Sequence, residues 1–468
     1  MKSLINLTAP LFLALAAGTA VAGPGGFPFF PIPAPSGSTI TLPAAISGDG
    51  TTVTGAARLT TSGANSAFRF IRGGASTIIA STPSEGNALS ADGKVIVGDA
   101  GTQGFSLADQ ATEITPFGGL FTTLAGVSGD GNSFVGNTTV NGVGPFISTN
   151  GAAPVSLGFL TGYEDLEVAA ISRVDLNVVG TAATTVNSLP LVQAAKKIGS
   201  GNWVGLGFLA TQTTPVGPAA LGTTNGNSES YATDNSSDGS NTVGFSKVGD
   251  SFGGFTYHAF RHTDSDGMVR LTSLVSTNFG VTIARGVTNT GLVVGSSESN
   301  TAAGQSAVIW LPNETVPRDL LAYAREAPRL ADIPAGWILT EAVGVSDNGA
   351  FVLGRGVDPS GNVAGFVVQI AENIIIPNAP TCFLDFNADG FLTQDDLGGF
   401  LTAFLDESVP PGPTGTNVAP CTGEPAPYDT LGFAADYNRD CSFSQDDLGG
   451  FLTDYFGESE NPINCLPG

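Results

Sequence analysis

One short pattern recurs seven times in this chain and limits its folding options more than any other feature. Each copy has a Ser or Thr, a tight turn, a few apolar residues and a closing glycine. Copies begin at Ser47 (SGDGTTVTG), Ser90 (SADGKVIVG), Ser128 (SGDGNSFVG), Ser172 (SRVDLNVVG), near Thr233 (ending DGSNTVG), Thr288 (TNTGLVVG) and Ser346 (SDNGAFVLG). They close at Gly55, Gly98, Gly136, Gly180, Gly244, Gly295 and Gly354. An Asp-Gly or Asn-Gly pair between apolar runs is a hairpin signal, because the turn needs residues with positive φ. Beyond each closing glycine lies another apolar stretch, such as Ala67–Phe70 and Ala307–Trp310, and often a further short one, such as Thr77–Ile79. That makes about four strands per unit. Strand-and-turn units recurring every 40–60 residues or so point to propeller blades. An open β-solenoid or a sandwich with coincidental turns is the alternative. The fourth and fifth copies lack or displace the Asp-Gly turn, so their blade boundaries are open.

The flanks of the repeats follow from proline and composition. Residues 23–37 are rich in Pro and Gly, and the prolines remove backbone donors, which excludes a helix or a central strand. They read as a linker or extended arm before a repeat domain spanning 38–375. Ser38–Leu42 is expected to pair with the last blade and close the ring. Pro317–Ala327 has helix-forming composition with Pro at its start, and Leu320, Leu321 and Ala324 are expected to face the sheet. A second linker, 376–381, precedes a distinct module at 382–468.

The N-terminus reads as a secretory signal over 1–22. Lys2 is followed by the apolar run Leu11–Ala17 and the small-residue site Ala20-Val-Ala22. The expectation is a secreted or cell-surface bacterial protein. The apolar run is short for a membrane span, so no span is expected after cleavage.

The last 87 residues carry one loop-plus-helix pattern twice. The first loop runs from Asp385 to Asp396 and the second from Asp436 to Asp447. Oxygen-bearing side chains fall at positions 1, 3, 5, 9 and 12 of both. A hard cation with six to eight flexible oxygen ligands fits this spacing, so two calcium ions are expected. In the first loop the ligands are Asp385, Asn387, Asp389, the Phe391 carbonyl, Thr393 and Asp396. In the second they are Asp436, Asn438, Asp440, the Ser442 carbonyl, Ser444 and Asp447. Gly390 stands where the first loop turns sharply. Cys441 stands there in the second, where a left-handed residue other than Gly costs roughly 1–2 kcal/mol, so the second site is expected to be weaker. Behind the loops, Leu397, Phe400, Leu401 and Phe404 match Leu448, Phe451, Leu452 and Tyr455, each set forming one helix face.

Charge and cysteines agree with that reading. The chain carries a formal charge of −24. From Cys382 onward fifteen Asp and Glu face one Arg, which leaves −14 in the tail and −10 in the rest. Such acidity disfavours nucleic acid as a partner. All four cysteines (Cys382, Cys421, Cys441, Cys465) lie in the tail, which in an exported chain reads as two disulfides. Three pairings are open; Cys382–Cys465 with Cys421–Cys441 is favoured.

Two resemblances follow from these residues. The Ser-x-Asp-Gly-x-x-Val-x-Gly core, with His258-Ala-Phe-Arg261 downstream, resembles the HAF repeats of exported bacterial proteins over roughly residues 40–370. The resemblance implies an extracellular propeller-like β domain and no shared catalytic activity. The tail resembles dockerin modules, paired calcium loop–helix elements with EF-hand geometry, which have Asp at position 12. The loops sit wider apart than usual, across a Pro/Gly-rich insert. At the partner-recognition positions the chain has Gln394-Asp395 and Gln445-Asp446, which departs from the small hydroxyl residues that bind cohesin.

The fold class expected is therefore mainly β: a seven-bladed β-propeller-like domain plus a small α-helical dockerin-like module. The function expected is a non-enzymatic binding or assembly protein that docks to a protein or cell-surface component through its calcium module. The alternative is a polysaccharide-active enzyme with a carboxylate site in the propeller. The only histidines, His258 and His262, lie in a repeat strand and make a weak catalytic pair. Glu164-Asp165, the most visible acidic pair in the repeats, reads as an ordinary surface loop.

Overall fold

The computed structural model describes residues 27–371, apart from 81–82, 109–113, 118–121, 140–142, 187, 210–227, 250–254, 276–279, 302 and 327–328. The chain divides between Ile374 and Ile375 into two units, and the second lies outside the described residues.

The first unit is a seven-bladed β-propeller of four-stranded antiparallel sheets. A short strand, β1 (Phe29–Ile32), precedes the blades. Blade 1 is β2 (Ser38–Ile46), β3 (Thr52–Leu59), β4 (Asn65–Ile71) and β5 (Ser76–Ile78). Blade 2 is β6 (Ser84–Leu89), β7 (Ile96–Ala100), β8 (Gln103–Leu107) and β9 (Thr115–Phe117). Blade 3 is β10 (Thr122–Val127), β11 (Ser133–Thr138), β12 (Gly144–Thr149) and β13 (Val155–Ser156). Blade 4 is β14 (Asp165–Ile171), β15 (Val178–Val186), β16 (Leu189–Lys197) and β17 (Trp203–Gly207). Blade 5 is β18 (Ser230–Asn235), β19 (Asn241–Gly249), β20 (Phe255–Thr263) and β21 (Gly267–Arg270). Blade 6 is β22 (Thr282–Val287), β23 (Val293–Glu298), β24 (Gln305–Trp310) and β25 (Arg318–Asp319), followed by helix α1 (Leu320–Arg325). Blade 7 is β26 (Ile338–Val345), β27 (Phe351–Val357) and β28 (Val363–Gln369), with β1 as its outermost strand.

One expectation about the closure of the ring is corrected here. The closing strand is β1, inside the Pro/Gly-rich arm, and not Ser38–Leu42, which opens the innermost strand of blade 1. Phe29 pairs with Val368 and Pro31 with Phe366. Proline excludes a central strand but is tolerated on an edge, and the outermost strand of a blade is an edge. The closure is well anchored. Phe29 is buried against Trp337 and Phe366, with ring centroids 5.0 and 5.6 Å away. The Thr41 hydroxyl accepts from the Gly365 N–H at 2.9 Å and joins blade 1 to blade 7.

The repeat has two physical functions. The opening Ser organises the turn between the two inner strands of its blade. In five blades its hydroxyl donates to the Asp or Asn two residues on, at 2.5–2.7 Å: Ser47 to Asp49, Ser90 to Asp92, Ser128 to Asp130, Ser236 to Asp238 and Ser346 to Asn348. The same oxygen accepts the backbone N–H that starts the next strand, as Ser133 N–H does with Ser128 at 2.9 Å. The fifth anchor is Ser236, three residues beyond Thr233. Thr233 lies on β18, where its hydroxyl donates to the Ala284 carbonyl at 2.8 Å. In the fourth turn, which has no glycine, Leu176 takes the left-handed conformation at φ 54°.

The closing glycine meets a β-bulge. In each blade it lies in the second strand, opposite a register shift in the first, for example Gly136 opposite Leu124 and Gly244 opposite Ala232. The bulge brings a carbonyl oxygen over the glycine Cα. A Cβ on the seven glycines would sit 1.9–2.6 Å from the carbonyls of Leu42, Glu85, Thr123, Glu167, Tyr231, Ile283 and Glu341. A side chain there would force the strands apart, so the repeat ends on Gly.

Burial follows the same sevenfold plan. Seven hydrophobic clusters each fill the space between two successive blades. Phe68, Phe105, Phe146, Phe260 and Phe366 hold equivalent positions on the third strand and are fully buried. Helix α1 packs Leu320 and Ala324 into the cluster between blades 6 and 7, and Asp319 caps it by accepting from the Ala322 N–H at 3.0 Å.

Candidate functional site in the axial channel

The twelve residues expected to hold calcium, from Asp385 to Asp447, lie outside the described residues, as do the four cysteines. Within the propeller, the two histidines sit on β20. His258 is buried, with its Nε2 2.9 Å from Arg270 Nη2. His262 is half-buried, and burial lowers its pKa against the opposing pull of Asp264. Asp165 opens β14 at the surface, where its Oδ1 accepts from the Leu166 N–H at 2.9 Å.

Other residues gather on the propeller axis. The seven innermost strands line a cavity of about 160 Å³. Its wall is built by the bulges. The first residue to re-pair after each bulge is Ala45, Ala88, Gly126, Ala170, Asp234, Gly286 or Gly344. Six are Ala or Gly, and the single exception is an acid. Asp234 is half-buried and lines the channel. Burial raises its pKa to about 7; the Asn235 and Val287 backbone N–H groups and the more distant Arg173 oppose the rise, and Asp347 adds to it.

The turns close one end of this channel. Backbone hydrogen bonds of 2.8–3.0 Å link neighbouring turns: Gly48 to Ala91, Ala91 to Gly129, Gly129 to Arg173, Val174 to Ser237, and Asp347 to Gly48. Between blades 5 and 6 the Asn289 side chain accepts from the Asp238 N–H at 3.0 Å. The residue after each opening Ser or Thr is Gly48, Ala91, Gly129, Arg173, Ser237, Asn289 or Asp347. The two charged ones meet across the axis. Arg173 of blade 4 places Nη1 2.9 Å from Asp347 Oδ2 of blade 7, and its Nη2 donates to the Ile46 carbonyl of blade 1 at 2.8 Å. Gly48 leaves room for this strut, since a Cβ there would lie 2.5 Å from Asp347 Oδ2. Further along the channel wall Arg285 pairs with Glu341 at 3.0 Å, and Glu341 lies 3.6 Å from Arg355.

A second polar cluster lies at the strand ends of blade 5, away from the turns. Glu229 accepts from Lys247 at 2.6 Å, Tyr257 at 2.7 Å and Tyr231 at 3.2 Å. Burial alone would raise the Glu229 pKa, but these three donors hold it below the usual range. Its partners are satisfied within the protein, so it reads as a structural clamp.

Arg173, Asp234 and Asp347 were not singled out from the sequence. A signal for them exists there. Once the repeats are aligned, Arg173 and Asp347 are the two charges in one column and Asp234 the single charge in another, both columns otherwise made of small or neutral residues.

No family model matches the chain, and no curated protein matches it. Several solved structures are similar to this chain over most of its length. The β-propeller domain of the Trilobed protease from Pyrococcus furiosus, described as having an open velcro topology, is 9% identical with a TM-score of 0.47, covering 73% of this chain and 97% of that one. The β-propeller domain of Cps50 (Swd1) from Myceliophteria thermophila is 8% identical at 0.41, covering 73% and 99%. A putative TolB from Agrobacterium tumefaciens is 14% identical at 0.34, covering 63% and 94%. At these values the likenesses say nothing of activity, and the blade count rests on the seven sheets themselves.

Proposed function

We propose that this chain is an exported binding protein whose β-propeller is joined to a C-terminal module that binds two calcium ions and docks to a protein or cell-surface component. The observation that carries the reading is the duplicated loop, Asp385–Asp396 and Asp436–Asp447, with oxygen side chains at the same five positions in both copies. One or two acids before a helix are ordinary turn chemistry; five matching oxygens, twice, are what a calcium ion needs. The dockerin resemblance supports docking as the role of the module, and the Lys2–Ala22 segment supports export. A propeller suits binding because its loops gather at the two ends of a rigid ring.

Calorimetric titration of the full-length secreted chain with calcium tests the reading. Two binding events are expected, the first-loop site being the tighter. Asp385→Ala should remove that event and lower the melting temperature in calcium but not in chelator, since binding stabilises only the folded form. An absence of heat at millimolar calcium would sink the assignment. Capture of cell-surface material by the calcium-loaded chain, lost in chelator, would then identify the partner.

A further inference from the structure

We propose that the axial channel is a binding site for one alkylammonium group, with Asp234 as its counter-ion. The site is distinct from the calcium loops and does not depend on them.

The first argument is the lone acid. At the position that follows the bulge six blades place Ala or Gly, and blade 5 places Asp234, which lines the channel. Among the described residues no Lys or Arg reaches ion-pairing distance of it. The nearest cation with an electrostatic effect on it, Arg173, is already paired with Asp347 and bound to the Ile46 carbonyl. A desolvated carboxyl without a cation is costly when charged, and a cation seated beside it removes that cost. Burial has moved its titration to about pH 7, so near neutrality a cation competes with a single proton for the site.

The second argument is the shape and chemistry of the wall. The cavity of about 160 Å³ holds about five waters at roughly 30 Å³ each, and a short alkylammonium has no more heavy atoms than that. Ala44, Ala125, Ala169 and Ala170 line the cavity and suit a methylene stem, and the two arginines that also line it, Arg173 and Arg285, are each paired with a carboxylate, Asp347 and Glu341. Calcium is a poor fit, because one carboxylate is far from six to eight oxygens. A guanidinium prefers both carboxylate oxygens in one plane, and here the Asn235 and Val287 N–H groups already face that carboxylate. A compact ammonium, whose three donors rotate, needs only the lone pairs that remain.

The test is thermal unfolding and calorimetry of the full chain at pH 8, in chelator and in calcium, with propylammonium chloride as the probe and sodium chloride at equal ionic strength as reference. The probe remains protonated there, since alkylamines titrate near 10.4, as Lys does. A saturable rise in melting temperature, equal in chelator and calcium, is expected. Asp234→Ala, which restores the residue type of the other blades, and Asp234→Asn should each weaken binding tenfold or more while the protein stays folded. Acetyl-lysine methylamide forms a second arm. Tenfold tighter binding than propylammonium indicates a protein lysine as the natural source, and equal or weaker binding indicates a free amine. No response beyond sodium chloride, an equal response in Asp234→Ala, or a preference for methylguanidinium or calcium at this site would overturn the proposal.

Discussion

Replacing Gly136 by Ala tests whether the repeat glycine exists for the bulge. Gly136 is not in the left-handed region, so alanine can adopt its backbone. The added Cβ would lie 1.9 Å from the Thr123 carbonyl oxygen and 3.1 Å from the Leu124 Cα. Both belong to backbone of the innermost strand, so relief requires β10 and β11 to separate by about an ångström or more. Overpacking of this kind costs about 1–3 kcal/mol, and a rigid backbone clash belongs in the upper half of that range. The loss of unfolded-chain freedom returns about 0.4–1 kcal/mol. The net loss is about 2 kcal/mol. Unfolding entropy is about 2.1 cal/mol/K per residue, so residues 27–371 contribute about 0.7 kcal/mol/K and the melting temperature should fall by about 3 °C. Scanning calorimetry in chelator, which removes any contribution from the proposed calcium sites, reads this directly. Gly344→Ala is the matched control. Gly344 also sits at a bulge with an ordinary φ, but its nearest neighbour is the Ile46 Cγ2 at 3.5 Å, so it should be neutral or slightly stabilising. Equal effects at the two positions, or no loss at Gly136, would refute the bulge argument.

Other expectations follow from the same contacts. Phe29→Ala removes the anchor of the closing strand and should cost about 3–5 kcal/mol in denaturant unfolding; a loss below about 1 kcal/mol would mean that the ring does not depend on β1. Ser128→Ala leaves the buried Ser133 N–H without its acceptor and should cost about 1–3 kcal/mol, whereas Ser265→Ala, on an exposed loop, should cost almost nothing in the same measurement. Asp234→Asn should change the pH profile of stability. The folded carboxyl titrates at about 7 and the unfolded one near 3.8, so between those values the folded form keeps a proton that the unfolded form has released, and stability falls as pH rises. The variant lacks this decline. Its melting temperature, relative to the parent in amine-free buffer, should be nearly level below pH 4, rise between about pH 4 and 7, and level off above; a constant difference across the range would contradict the burial of Asp234.

By itself the sequence determined the features that reside in one blade. A Ser, its Asp partner and a Gly at fixed spacing form a turn by local hydrogen bonds, and a glycine facing a bulge needs only the neighbouring strand. Seven such units were therefore countable before any coordinates, and the third strand of each could be read from its apolar run. Even the irregular fifth unit is visible from its DGSNTVG ending, and its anchor is Ser236. Only the tertiary structure decided what depends on closure. The strand Phe29–Ile32 carries a proline and looks like a linker; it becomes a strand because blade 7 offers an unpaired edge that is adjacent in space although some 340 residues away in sequence. The channel is the same case. Arg173, Asp234 and Asp347 come from blades 4, 5 and 7, and in any one blade each is an ordinary polar residue beside a turn. The ring brings them to one axis, removes most of their water and leaves one carboxyl without a cation, because electrostatic partnership depends on distance through the fold and not along the chain.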